Sequence, residues 1–179
     1  AQRLIDLLSR NTAEGFVYRV DARLRPFGSA GPLSVSLAAL EAYLLQHGRD
    51  WERYAYIKAR VVNPWDDADG LYRDVLRPFI YRRYLDYGVF SSLREMKAMI
   101  AAEVEKKEYR ANLKLGPGGI REIEFIVQAL QLVRGGTVLG LRQQQLLRAL
   151  PQLVQAGCLP AADAADLETA YCFLRLAEN

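Results

Sequence analysis

Leu115-Gly-Pro-Gly-Gly119 cannot continue a helix, and it separates two stretches that both read as strongly helical. Proline lacks an amide donor and paired glycines loosen the backbone, so the chain must break there. Before the break, Leu93, Met96, Ile100 and Val104 recur at helical spacing over residues 92–108. After it, Ile120, Ile123, Val127 and Leu130 make an apolar stripe over 120–134, closed by Gly135-Gly136. Two more helices are expected over roughly 141–156 and 161–178, the second starting just after Pro160. Upstream, helical patterns cover 2–10, 33–46 (stopping at Gly48) and 50–62 (ended by Asn63-Pro64), with 71–87 kinked around Pro78.

Residues 16–25, Phe-Val-Tyr-Arg-Val-Asp-Ala-Arg-Leu-Arg, depart from this pattern. Phe16, Tyr18, Val20, Ala22 and Leu24 fall on one face of a period-two pattern, and Val17, Arg19, Asp21, Arg23 and Arg25 on the other. A strand is expected, ended by Pro26 and a loop over 28–31. The fold class is therefore mainly α, with a little β-sheet near the N-terminus, an all-helical remainder and a boundary near residue 90.

With 51% hydrophobic residues, 179 positions suffice for one sizeable core or two small ones. The 24 basic and 21 acidic residues are mixed along the chain, and a net charge of +3 without a concentrated basic stripe does not argue for a nucleic-acid partner. Phosphate-bearing small molecules or a protein partner fit at least as well. Cys158 and Cys172 lie in apolar stretches without metal-ligand spacing and read as buried small side chains in a reducing compartment. No run approaches the ~18 apolar residues of a membrane span and no signal peptide opens the chain, so a soluble, cytoplasmic protein is expected. Both ends fall inside helical patterns, which reads as a piece of something longer.

Three constellations bear on chemistry. Asp21 sits mid-strand, where aspartate is disfavoured, with Arg19 and Arg23 at i−2 and i+2 on the same face. That is either a solvated sheet face with ion pairs or a metal-binding carboxylate with arginines for phosphate oxygens. In the second, the glycines before residue 120 leave N–H groups at a positive helix end, a candidate anion site. Arg121, Glu124, Gln128 and Gln131 then form a polar stripe enclosed by apolar neighbours. A structural Arg121–Glu124 ion pair explains the stripe equally well. The third, Arg49, Trp51, Glu52, Arg53, Lys58 and Arg60, interleaves aromatics with cations. It suits nucleotide stacking, or simply a solvated basic helix face. His47, the only histidine, reads as a helix-end residue favoured by the dipole. Asp66 to Gly70 lacks the downstream glutamate of a calcium loop and reads as a solvated turn.

Taken in order, several segments resemble the glutamine synthetase adenylyltransferase/adenylyl-removing family. They are Gly15-Phe-Val-Tyr-Arg-Val-Asp-Ala-Arg-Leu-Arg-Pro-Phe27, Ser29-Ala-Gly-Pro-Leu33, Gly48-Arg-Asp-Trp-Glu-Arg-Tyr-Ala55 and Lys58-Ala-Arg60, then Leu93-Arg-Glu-Met-Lys97 and Gly118-Gly-Ile-Arg-Glu-Ile-Glu-Phe-Ile-Val-Gln128. The resemblance covers essentially the whole chain. It implies that residues 1–90 are the C-terminal part of a nucleotidyltransferase-like α/β domain and 91–179 a helical bundle.

Such enzymes carry two halves, one attaching AMP to a tyrosine of glutamine synthetase and one removing it by phosphorolysis to give ADP. The runs Arg49-Asp-Trp-Glu-Arg-Tyr54 and Gly118-Gly-Ile-Arg-Glu-Ile-Glu-Phe125 look like the removing half. The alternatives are the attaching half and a non-catalytic helical interaction module. Asp21 matches the family's third metal carboxylate, while the Asp-x-Asp pair that precedes it in the family is absent, so this chain alone is expected to be inactive. The resemblance further implies Mg2+ or Mn2+, ADP or ATP, and inorganic phosphate. Arg19, Arg23, Arg25, Lys58, Arg60, Arg121, Glu122 and Glu124 are the candidate phosphate- and nucleotide-binding residues. Glutamine synthetase is the implied partner, with the PII signal protein as a candidate regulator.

Overall fold

The computed structural model describes residues 1–15, 18, 20–62, 70–83, 88–106 and 112–178. These form two compact units, 1–49 and 50–179. Mainly helical architecture is what the periodicity predicts. Among the described residues there are eight α-helices, and β structure is limited to a single antiparallel bridge between Thr12 and Gly15.

The first unit opens with α1 (Gln2–Ser9), followed by a turn in which the Thr12 and Gly15 backbones exchange hydrogen bonds of 2.8 and 3.0 Å. The strand expected over 16–25 is not present at its described positions, Tyr18 and Val20 to Arg25. Local hydrogen bonds win there. The Asp21 carboxylate accepts from the Arg23 amide at 3.0 Å, and the Arg25 amide donates to the Arg23 carbonyl at 2.9 Å. A strand also needs a neighbour to pair with, and no described residue supplies one.

Arg25 then ties down the following loop. Its guanidinium donates to the carbonyls of Ala22, Ser29 and Gly31. A Cβ at Gly31 would lie 1.9 Å from the Pro26 carbonyl oxygen, so only glycine closes this turn. Helix α2 (Leu37–Gln46) begins four residues later than the apolar spacing suggested. Ser36 sets its start by accepting a hydrogen bond from the Ala39 amide at 3.2 Å, as an N-cap serine does. Phe27, in the left-handed region at φ 60°, rests its ring on Tyr43 and His47 of that helix end.

In the second unit, α3 (Asp50–Tyr56) is shorter than the pattern over 50–62. A π-helical stretch, Leu71–Leu76, runs directly into α4 (Arg77–Ile80). The kink expected at Pro78 is thus a widened turn just before it, whose last N–H, from Arg77, reaches back to the Tyr72 carbonyl. The remaining helices are α5 (Gly88–Lys106), α6 (Ile120–Arg134), α7 (Leu146–Gln155) and α8 (Ala161–Glu178).

Helices α6, α7 and α8 pack against one another, and α3 packs on α4, α5 and α6. Ile123, Val127, Leu141, Leu146, Ala149, Leu150, Leu153 and Ala164 form one core cluster. Cys158 packs against its edge, whereas Cys172 is exposed, contrary to the expectation that both thiols are buried. The helical stripe of α8 turns Leu167, Tyr171 and Leu174 inward, and residue 172 falls on the other face. Gly135 and Gly136 do more than end α6. A Cβ on Gly136 would lie 1.9 Å from the Arg82 carbonyl oxygen, and one on Gly135 would lie 2.6 Å from the Tyr81 ring.

Candidate functional site

The predicted site residues fall in both units. In the first, Asp21 and Arg23 face each other as an exposed bidentate pair, with contacts of 3.0, 3.1 and 2.6 Å. The hydrogen bond and charge of Asp21 hold the Arg23 guanidinium above its ordinary pKa. Arg25 is committed to backbone carbonyls as described, and Arg19 lies outside the described residues, as does the Asp66–Asp69 turn. Among the described residues no group of three or more His, Cys, Asp or Glu side chains is placed to hold a metal ion. Asp21 supplies a single carboxylate, both oxygens of which contact Arg23.

In the second unit, Lys58 and Glu124 form an ion pair across 66 residues of sequence. No local spacing foretells it. The Arg121–Glu124 pair considered along α6 is replaced by contacts to other elements, since Arg121 faces Glu103 at 4.0 Å. Two tyrosines close around Glu124. Burial, and then the Glu124 charge, raise the phenol of Tyr54 well above its ordinary range, and the same two causes raise Tyr171. The Tyr54 ring also packs on Phe125, 5.7 Å between centroids. Gln144 donates to the Ala59 carbonyl at 2.6 Å, which fastens the segment carrying Lys58 and the exposed Arg60.

The polar stripe of α6 is enclosed only in its second half, since the Arg121 side chain is 41% exposed and Glu124 half-buried. Gln128 and Gln131 are both buried, and Gln131 donates to the carbonyls of Leu141 and Gln143 at 2.6 and 2.8 Å. The start of α6 differs from the anion site expected of it. The amides of Gly119, Ile120 and Arg121 donate to the carbonyls of Gly116, Leu113 and Lys114, and the Glu122 carboxylate accepts from the Gly118 amide at 2.7 Å. The positive helix end is satisfied from within the chain.

Arg53 is neither a nucleotide-stacking cation nor part of a solvated basic face. It is fully buried and donates to the carbonyls of Phe79 and Ile80, where α4 ends, while pairing with Asp50 at 3.0 Å. Burial holds its pKa below the ordinary value, opposed by the Asp50 hydrogen bond. A cavity of about 340 Å³ lies between α5, the 115–117 turn and the first turns of α6, with Lys97, Val104, Glu105, Arg121, Glu122 and Phe125 among its walls. The sequence pattern marks Arg121 and Glu122 but carries no signal for Lys97 or Glu105, which join them only through packing.

Comparison with known proteins gives two family matches. Residues 1–72 match the family described as glutamate-ammonia ligase adenylyltransferase, and 94–179 match GlnD PII-uridylyltransferase. The bifunctional glutamine synthetase adenylyltransferase/adenylyl-removing enzymes of Shewanella frigidimarina (strain NCIMB 400) and Shewanella loihica (strain ATCC BAA-1088 / PV-4) are each 51% identical over 178 residues, 99% of this chain. Over nearly its whole length the chain is similar to one segment of these bifunctional enzymes. It spans 19% of the length of either relative. Within the glutamate-ammonia ligase adenylyltransferase match lie Asp21, Arg23, Arg25, Lys58 and Arg60, whereas Arg121, Glu122 and Glu124 fall in the uridylyltransferase match.

Proposed function

We propose that this segment belongs to the adenylyl-removing half of a bifunctional regulator of glutamine synthetase. The observation that carries this reading is the run Gly118-Gly-Ile-Arg-Glu-Ile-Glu-Phe125, whose text resembles the removing half, within a chain 51% identical to bifunctional enzymes. The attaching half more usually has an aspartate-bearing version of that run. In the reaction, an oxygen of inorganic phosphate attacks the phosphorus of adenylyl-tyrosine. The bond to the phenolic oxygen breaks, AMP passes to phosphate as ADP, and the departing phenolate takes up a proton.

Asp21 is read as one carboxylate of a divalent-metal set (Mg2+ or Mn2+), the remainder of which the described residues do not provide. When bound, such ions stabilise negative charge on transferring phosphoryl oxygens. Arg23, whose exposed guanidinium pairs with Asp21, is assigned to phosphate charge, and Arg19 and the Arg60 side chain are assigned the same role. Arg25 contributes by fixing the loop. Lys58 and Glu124 are proposed to act as a pair, with a phosphate oxygen competing against the carboxylate for the ammonium. Arg121 and Glu122 are read as cleft residues that position phosphate or protein substrate.

The division into a nucleotidyltransferase-like part (1–90) and a helical bundle (91–179) is supported by the two family matches, which end at 72 and resume at 94. Glutamine synthetase is the proposed substrate protein, PII a proposed regulator, and the cytoplasm the proposed compartment. No helix among the described residues is long and apolar enough to cross a membrane.

The test uses a full-length protein carrying this segment, incubated with adenylylated glutamine synthetase, magnesium and phosphate. Phosphate-dependent ADP release that disappears in Asp21→Asn is expected. Loss of AMP transfer from ATP in that variant, with ADP release intact, would instead assign the segment to the attaching half.

A further inference from the structure

We propose that the cavity between α5 and α6 binds a small molecule with an apolar body and a single negative charge, held at Arg121. The inference does not rest on the catalytic reading and gives Arg121 a ligand other than the phosphate considered for it there. About 340 Å³ is within the range of small-ligand sites. Ile100, Ala101, Val104, Leu115, Pro117 and Phe125 supply an apolar lining.

The wall opposite α5 is preformed. The Asn112 side chain accepts from the amides of Lys114 and Leu115 at 3.0 and 2.9 Å, and its carbonyl accepts from Gly116 at 2.8 Å. The Gly118 amide is pinned by Glu122. A Cβ at Gly119 would stand 2.7 Å from the Leu113 oxygen, so this close fold-back of the turn requires glycine there. A ligand therefore meets a fixed surface and loses little to ordering it.

Charge sets the ligand class. Arg121 lines the cavity with its nearest paired carboxylate, Glu103, at 4.0 Å, outside hydrogen-bond range. Its guanidinium, 41% exposed, keeps donors for an incoming anion at the edge of an apolar wall. Lys97 is less available, since Glu122 stands 3.6 Å from it. Glu105 and Glu122 also line the cavity, so its two cations, Lys97 and Arg121, are already matched by two carboxylates and the lining favours a singly charged ligand over a polyphosphate. A monoanion with a compact apolar body satisfies both the lining and the charges.

The probe is 8-anilinonaphthalene-1-sulfonate, an aromatic body with one sulfonate, titrated by fluorescence into the intact chain. A saturable one-to-one component is expected. It should be lost in Ala101→Phe, which fills the cavity from an exposed helix position, and weakened about tenfold in Arg121→Gln. Binding to exposed apolar residues such as Phe173 and Leu176 would persist in both variants and so is separable. Circular dichroism melts check that each variant is folded, and if Ala101→Phe is not, the Arg121→Gln result decides. A saturable component unchanged in Arg121→Gln overturns the proposed ligand class. Competitive displacement of the probe by ADP also overturns it, because the cavity would then be a nucleotide site.

Discussion

The guanidinium of Arg53 donates to the carbonyl oxygen of Ile80 through both Nε, at 3.2 Å, and Nη2, at 2.9 Å, from a position closed to solvent. The arginine thereby caps α4 from the side of α3, with Asp50 balancing its charge. Replacing it with methionine would retain most of the volume but strand two carbonyls and an aspartate. We expect Arg53→Met to lower unfolding stability by about 3 kcal/mol. Arg53→Lys should recover only part, because a single ammonium cannot reach as the planar fork does. Urea unfolding followed by circular dichroism measures both, and an unchanged midpoint in the methionine variant would refute the capping role.

Gly136 and Gly118 make a contrasting pair. A Cβ at Gly136 would sit 1.9 Å from a backbone oxygen, whereas Gly118, at φ 71°, has open space around it. Gly136→Ala is therefore expected to cost at least about 2 kcal/mol by forcing α6 off the 82–83 segment. Gly118→Ala should cost only about 1 kcal/mol of left-handed strain. Equal thermal shifts in the two variants would contradict this ordering.

Tyr54 and Tyr81 both have phenol pKa values raised first by burial, with Glu124 adding to the first and Tyr72 to the second. The Tyr81 hydroxyl is also buried without a hydrogen-bond partner among the described residues. A raised folded-state pKa means the folded protein holds the proton more tightly than the unfolded chain. Stability from these groups is thus complete below the ordinary phenol value of 10.0 and declines above it. Each tyrosine removes at most about 1.4 kcal/mol per pH unit in that window. Urea midpoints measured from about pH 9 to about pH 11.5 should fall beyond the ordinary phenol value, and less steeply in a Tyr81→Phe variant.

Asp21 and Arg23 pair in the open, with side chains 48% and 79% exposed. Such a pair contributes little to folding. Asp21→Asn is expected to leave the melting temperature of this chain unchanged, so activity lost in the full-length variant would report function. A melting temperature several degrees lower would mean that the carboxylate holds the loop together.

Where apolar residues repeat over three or more turns, the sequence suffices. Helices α6 and α8 start and end close to where Ile123 or Leu167 imply, α5 begins four residues ahead of the expected 92, and the enclosure of Gln128 and Gln131 follows from their apolar neighbours. Alternation over 16–25 misled because period two describes a face, and a face becomes a strand only with a pairing partner. The late start of α2 turns on one hydroxyl, Ser36, which outweighs the apolar spacing from Leu33. Pairings such as Lys58 with Glu124, or Arg53 with Ile80, join residues dozens of positions apart. Their sequence neighbourhoods are those of ordinary surface cations, so only the packed chain distinguishes them.

The π-helical stretch Leu71–Leu76 fixes the angular phase of everything after it up to Ile80. Successive α-helical residues are turned by about 100°, so a wide turn spends one residue without the usual advance along the axis. Shortening this stretch by one residue would restore regular winding with Phe79 and Ile80 near their present angle, whereas rewinding it as α-helix at full length would swing them roughly a quarter-turn away from α3. The irregular turn acts as a spacer in rotation, and the buried arginine meets its carbonyls only at that setting.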